Sequence, residues 1–381
     1  MTALTTPREG IPRVLSTPAD FTAAASALAS GQGPLAIDTE RASGFRYDDR
    51  AFLVQIRRRD VGTFLLDPEG ARPEFTAALA PVLNGQDWII HAAPSDLPSL
   101  AWLGLYPGTL FDTELAGRLA GFDHVNLAAM IEMLFDVHLA KGHGAEDWSQ
   151  RPLPADWLAY AALDVELLLE LGDTMAEILD GQGKLDWASQ EFEYRRRGHA
   201  SITGPTESTW RAMKGVSSLT RPEQLTVARE LWMTRESIAV ADDRAVSRIL
   251  PTKVLIEVAR TLPRTSRDLA WVKGFPARRR SAGRFWGEVI DRALGSNPRT
   301  WPKRERPPRG LPSRQAWANE YPESYERFST ARELIDDLSA EVEIPPENIL
   351  RPAPLRAGGR AAAAARAARA TPAVPELPRA H

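Results

Sequence analysis

"LAIDTERASGFRYDDRAFLVQI", residues 35–56, begins as a buried strand and then breaks its own pattern. Leu35, Ala36 and Ile37 are apolar, but Asp38 and Glu40 follow two residues apart. Side chains at i and i+2 of a strand point to one face, so two carboxylates would stand side by side at the end of an apolar strand. Like charges that close repel, and burying them costs several kcal/mol unless a positive group lies between them. "ASGFRYDD" then supplies turn residues, and "AFLVQIRRR" reads as the returning strand.

Outward from that hairpin, residues 1–200 alternate strand-like and helix-like segments. "PADFTAAASALAS" and "ARPEFTAALAPVLNG" read as helices, each followed by glycine, while "VGTFLLDP" and "DWIIHAA" read as strands. Helical patterns follow at 94–103, 112–119, 127–135 and 155–179. A strand meander followed by alternating strand and helix predicts a mixed α/β sheet covered by helices.

Beyond residue 200 the strand signals stop. Apolar helical patterns at 221–237, 252–261 and 279–294 predict a small all-helical domain over 201–295. "GSNPRTWPKRERPPRGLP" reads as a linker. Helical stretches at 314–319 and 324–341 lie in a region, 296–355, expected to hold a linker and an incomplete further helical unit. Residues 356–381 are rich in Ala, Arg and Pro and are expected to be disordered.

The chain of 381 residues is 43% hydrophobic and 25% charged, the balance of an ordinary globular protein of two or three domains. No run of eighteen apolar residues and no secretory pattern occur, so a cytoplasmic location is the expectation. Zero cysteines excludes disulfides, thiolate metal sites and a cysteine nucleophile. The net charge of −3 conceals an asymmetry: residues 1–200 carry 16 Lys and Arg against 29 Asp and Glu, and residues 201–381 carry 31 against 21. An acidic half joined to a basic half predicts a cation site in the first and a polyanion contact in the second.

Three further segments bear on the Asp38–Glu40 pair. In "WIIHAAPSDLPSL" a strand ends at His91 and Asp96 falls near a helix start, where the helix dipole alone would favour an acid. In "WLAYAALDVELLLEL" Tyr160 and Asp164 lie one turn apart on a helix whose other positions are largely apolar. In "KGHGAEDWSQRPLP" Lys141 and Arg151 are candidate phosphate contacts, and Trp148 could either stack on a substrate or pack in the core. Four carboxylates from three segments suit hard divalent cations, Mg²⁺ or Mn²⁺, and a pair of such ions can activate water and stabilise a leaving oxygen. Those cations would also offset the repulsion between Asp38 and Glu40.

Asp38-x-Glu40, Asp96 and Tyr160-x-x-x-Asp164 resemble the three motifs of the DEDDy 3′→5′ exonucleases. "HAAPSDL" and "DWSQRPLPADWLAYAALDV" are similar in detail to the ribonuclease D family. The resemblance implies a ribonuclease H-like α/β exonuclease domain over 1–200 and two-metal hydrolysis of 3′-terminal nucleotides to 5′-monophosphates. It implies that Asp38 bridges the two metals, that Glu40 and Asp164 complete the first site and Asp96 serves the second, and that Tyr160 positions the attacking water. Gln55 and His91 match family positions near the site.

"RELWMTRESIA", "ILPTKVLIEVA" and "LAWVKGF" resemble the helicase-and-RNase-D C-terminal (HRDC) domain, which implies weak nucleic-acid binding, with Arg278, Arg279 and Arg280 as candidate phosphate contacts. "IPPENIL" resembles part of a second such domain. Together these imply an exoribonuclease acting on single-stranded 3′ ends such as those of precursor tRNA. A DNA-directed exonuclease and a non-catalytic nucleic-acid-binding scaffold stand as alternatives.

Overall fold

The computed structural model describes residues 2–139, 142–206, 208–277, 281–305 and 314–350. After β1 (Thr2–Leu4) and β2 (Val14–Leu15) comes α1 (Pro18–Ser30). A reciprocal cap starts this helix: Thr17 Oγ1 accepts from the Asp20 amide, and the Asp20 carboxylate accepts from the Thr17 amide. Next come β3 (Leu35–Arg41), β4 (Ala51–Arg58), β5 (Gly62–Leu66), α2 (Arg72–Leu83) and β6 (Asp87–Ile90). They are followed by α3 (Leu97–Ala101), β7 (Thr109–Asp112), α4 (Thr113–Leu119), α5 (Leu127–Phe135), β8 (Val137–Leu139), α6 (Ala155–Glu166), α7 (Leu168–Gly181) and α8 (Leu185–His199).

Six strands form one sheet in the order β2-β5-β4-β3-β6-β7. β3, β4 and β5 are an antiparallel meander, while β6 and β7 continue from β3 in parallel. This is the mixed sheet expected, in the ribonuclease H-like arrangement, with β3 at its centre. Three pairings escape the sequence reading: β7 beside β6, β2 beside β5, and β1 beside β8 as a separate two-stranded ribbon. The strands missed, β1, β2, β7 and β8, are runs of two to four residues, too short for alternation to show.

β3 divides its side chains between two cores. Leu35 and Ile37 join α1 and α2 through Phe21, Leu28, Phe75 and Leu79. Ala36 faces the opposite side, with Ile89 and the helices α4, α5 and α7. Asp38 and Glu40 share the parity of Ala36, and α6 covers that side of β4 and β5 through Ala161 and Ala162, which pack with Leu53 and Leu65. The register shifts between Glu40 and Arg41, so Phe52 is an extra residue on β4. A bulge there bends the strand at the end that bears the carboxylates.

The single helix expected over 155–179 is two. At Leu167 the backbone leaves helical geometry (φ −114°, ψ 12°), so α6 serves the core over β4 and β5 while α7 turns its Leu168, Leu171 and Met175 into the second core. The apolar pattern runs through the break, which hides it in the sequence.

The helical part contains α9 (Pro222–Ala241), α10 (Val246–Ile249), α11 (Thr252–Thr261), α12 (Ser266–Trp271) and α13 (Ala282–Leu294) around Leu225, Leu231, Leu255, Leu269 and Ile290. It adds two short helices to the three expected; α12 is started by Thr265, whose hydroxyl accepts from the Asp268 amide. The loop between β3 and β4 docks on it. Asp243 accepts from Arg50 Nη2 at 2.7 Å and Nη1 at 3.1 Å, and the Ala245 amide donates to the Phe45 carbonyl at 2.9 Å.

The chain then returns through α14 (Arg314–Glu320), α15 (Pro322–Val342) and α16 (Pro346–Ile349). Ile344 enters the core of α4, α5 and α7. At Gly121 a Cβ would lie 2.5 Å from the Glu343 carbonyl oxygen, so this contact needs glycine. Among the described residues no helix is long and apolar enough to cross a membrane. Residues 356–381, read as disordered, lie outside the described residues.

Candidate active site

β3 lays Asp38 and Glu40 on one face, and α6, seated on its small Ala161 and Ala162, brings Asp164 against them. One carboxylate oxygen from each of Asp38, Glu40 and Asp164 lies within 4.8 Å of the other two. Asp96 is not in that group. It sits at the start of α3, nearly fully buried, where its Oδ1 accepts from Thr39 Oγ1 at 2.6 Å and from Arg41 Nη1 at 3.2 Å. Thr39 and Arg41 point to the opposite face of β3 from Asp38, so Asp96 flanks the strand edge beside the cluster. Arg41 Nη1 also donates to the Ser95 carbonyl, which pins the turn before Asp96.

The electrostatics follow from burial. Asp38 and Glu40 are pushed well above the carboxylate range, first by desolvation and then by nearby charge, that of Asp96 and Asp164 at Asp38 and that of Asp38, Asp164 and Asp96 at Glu40. Burial raises Asp164 to about 7 and Asp96 to about 6, with Arg41 and Thr39 opposing the rise at Asp96. The Tyr160 hydroxyl donates to the Asp164 carboxylate, and burial beside Asp164, Glu40 and Asp38 moves its ionisation far above the usual phenol value. Arg41 is the cation that opposes these shifts at Asp38, Glu40 and Asp96, and one guanidinium is too little charge for four carboxylates. An all-oxygen, anionic, buried donor set of this kind fits Mg²⁺ or Mn²⁺.

The other candidates separate. Gln55 is the cross-strand partner of Asp38 and fully buried, yet neither atom of its amide has a hydrogen-bond partner among the described residues. His91 is held by α4: its Nδ1 lies 2.9 Å from Thr113 Oγ1, and burial lowers its pKa, so it braces the β6 turn against α4.

Trp148 and Arg151 must be reassigned from substrate contacts to structure. Trp148 is fully buried, 5.3 Å from the Trp157 ring and 6.5 Å from that of Tyr160, and its Nε1 donates to the His143 carbonyl; it packs beneath Tyr160 and has no free face. Arg151 spends its donors on Asp67 Oδ2 (2.5 Å) and on the carbonyls of Phe52, Trp148 and Gln150. Lys141, Arg278, Arg279 and Arg280 lie outside the described residues.

Sequence reasoning missed Thr39, Arg41, Asp112 and the His143–Gly144 segment. Asp112 is fully buried; it accepts from the amides of Ala92, Ala93, Glu114 and Leu115 and pairs with Arg195 at 2.5 Å, so it holds the left-handed turn at Ala92 that leads to Asp96. A Cβ on Gly144 would lie 3.5 Å from the Tyr160 hydroxyl, so that loop lies close against the hydroxyl. These partners are separated by tens of residues, and no local pattern announces them.

A ribonuclease H-like sheet with converging carboxylates, followed by a helical HRDC unit, defines the class of 3′–5′ exonucleases. A family model described as 3′-5′ exonuclease matches residues 12–180, the HRDC domain model matches 224–290, and a model described as 3′ to 5′ exonuclease C-terminal domain matches 310–371. Ribonuclease D of Jannaschia sp. is 30% identical over 266 residues, 68% of each chain, and that of Pseudomonas paraeruginosa 30% identical over 276 residues, 71% of each. The chain belongs to the ribonuclease D family.

The match to ribonuclease D of Gluconacetobacter diazotrophicus is 34% identical but spans only about half of either protein, 49% of this chain and 47% of that one. Among solved structures, a Bifidobacterium adolescentis protein is 34% identical with a TM-score of 0.79, over 93% of this chain and 90% of that one. Escherichia coli RNase D, 22% identical with a TM-score of 0.65 over 88% and 86%, shares the fold.

Proposed function

We propose that this chain is a metal-dependent 3′→5′ exoribonuclease that releases 3′-terminal nucleotides as 5′-monophosphates, acting on cytoplasmic RNA such as precursor tRNA 3′ ends. The observation that carries the reading is the convergence of Asp38, Glu40 and Asp164 within 4.8 Å, with the Tyr160 hydroxyl on Asp164. Asp38, Glu40 and Asp164 would hold one divalent ion. Asp38 would share itself with a second, toward Asp96, whose orientation Thr39 and Arg41 fix. Two such ions supply a water of lowered pKa and neutralise charge on the leaving oxygen.

The chain's own groups do the rest. In the metal-free site burial and the neighbouring carboxylates keep Tyr160 protonated at neutral pH, and the role assigned to its hydroxyl is to orient water and the terminal phosphate. Asp164 accepts that hydroxyl's hydrogen bond and so fixes the ring against α6. The buried Trp148 beneath Tyr160, itself packed against the half-buried Trp157, resists its displacement. The basic residues after 200 supply sequence-independent attraction for the rest of the strand.

The test is a time course on 5′-labelled single-stranded RNA and its DNA counterpart, with Mg²⁺, Mn²⁺ or EDTA. A metal-dependent ladder shortening from the 3′ end, faster on RNA, is expected. Equal or faster loss of DNA would assign the site to DNA. No shortening of either strand would reject the nuclease reading.

A further inference from the structure

Trp271, at the end of α12, is 81% exposed. Its neighbour in the same helical part, Trp286, is 4% exposed and does the packing expected of an indole. Leaving so large an apolar ring in water forgoes its burial, and the fold gains nothing from it. The ring borders a groove of about 1070 Å³ between α11 and the α12 turn, floored by Val254. Gly274, with φ +85°, lets the backbone lie on that floor: a Cβ there would be 3.1 Å from Val254 Cγ2. Lys273 lines the same groove as the ring.

Charge around the groove is uneven in a way a residue count hides. Its acids are engaged: Glu257 bonds Arg260, and the Asp268 carboxylate accepts from the Thr265 amide in the helix cap. Its cations Lys253, Arg264 and Lys273 make no hydrogen bond or ion pair with another described residue. An exposed flat aromatic with three uncommitted cations around it matches a polymer that offers a planar base and an anionic link at each repeat.

We propose that this groove is a stacking subsite for single-stranded nucleic acid, with an unpaired base on Trp271 and the flanking phosphates on Lys253, Arg264 and Lys273. The inference rests on the exoribonuclease reading and adds to it a contact on the helical part, apart from the carboxylates.

Fluorescence anisotropy of a labelled single-stranded RNA, in EDTA so that it is not degraded, tests the groove on the full chain. Trp271→Ala should weaken binding about 10-fold, Trp271→Phe should restore part of that, and Trp187→Ala, which removes a 47% exposed indole on α8, should stay within about twofold of wild type. An unchanged thermal midpoint in Trp271→Ala excludes loss of fold. Lys253→Gln with Lys273→Gln should reduce the slope of log affinity against log salt by about 1.4, two phosphates' worth. An RNA carrying abasic sites should bind wild type as weakly as intact RNA binds Trp271→Ala, with no further loss in that variant.

Binding by Trp271→Ala within twofold of wild type would overturn the proposal. So would an equal loss on intact and abasic strands, which would give the ring to another kind of partner, such as an acidic protein segment. Metal-dependent shortening by the wild-type protein is read in a separate reaction, so failure of the nuclease reading and failure of the groove are distinguishable.

Discussion

Thr39 Oγ1 donates to Asp96 Oδ1 at 2.6 Å across 57 residues of chain. The bond joins the strand bearing Asp38 and Glu40 to the helix start bearing the fourth carboxylate, from the face opposite the first two. Thr39→Val keeps the shape of the side chain and removes the donor. Turnover is expected to fall about 10- to 100-fold, the usual range for groups that orient a metal-binding carboxylate. Asp96→Ala should fall further. Steady-state hydrolysis of a short RNA measures both, and equal activity in Thr39→Val and wild type would show that Asp96 needs no such anchor.

Burial raises Asp164 from 3.8 to about 7, which ties the metal-free cluster to stability with a definite sign. The folded state holds a proton that the unfolded state has lost, so the contribution is fully present below pH 3.8 and disappears as pH rises through about 7. Asp164→Asn should therefore raise the melting temperature of metal-free protein at pH 8 and leave it nearly unchanged at pH 3.8. A melting temperature at pH 8 that falls in Asp164→Asn would contradict the electrostatic description.

Tyr160→Phe removes only the hydroxyl that donates to Asp164. Loss of an orienting group of this kind is expected to lower kcat by about 10²-fold with KM little changed. The buried ring contacts to Trp148 remain, so the melting temperature should hold. A large rise in KM with kcat preserved would make the tyrosine a binding residue.

Arg151→Ala tests the reassignment of that residue. It would strand Asp67, only 6% exposed, and free three carbonyls, so a loss of about 2 kcal/mol is expected after allowing for the guanidinium's partial exposure. Arg151→Lys should not recover it, because one ammonium cannot reproduce the fork. Urea melts measure this, and a variant of unchanged stability with a raised KM would restore Arg151 to the substrate.

How legible all this was depends on sequence distance. The meander of β3, β4 and β5 could be read because alternation and turn residues lie within one 32-residue stretch, and Tyr160 with Asp164 because a helix fixes their spacing. β2 and β8 could not, being pairs and triplets of residues that gain meaning only from a distant partner. Trp148 carried two meanings in the sequence, stacking or packing, and only the presence of Trp157 and Tyr160 above it decides between them. Asp96 could be singled out as a candidate acid, but its separation from the other three could not be read, because Thr39 and Arg41 look like ordinary outward residues of β3.

The most direct measurement is a titration of Mn²⁺ into wild-type protein and Asp38→Asn, with RNA hydrolysis followed on the same samples. Wild type should bind the ion and shorten RNA from the 3′ end, while Asp38→Asn should lose tight binding and more than about 10²-fold of turnover, as expected when a shared ligand of two ions is removed. An Asp38→Asn protein that binds Mn²⁺ and shortens RNA like wild type would show that the cluster of Asp38, Glu40 and Asp164 is not the metal centre.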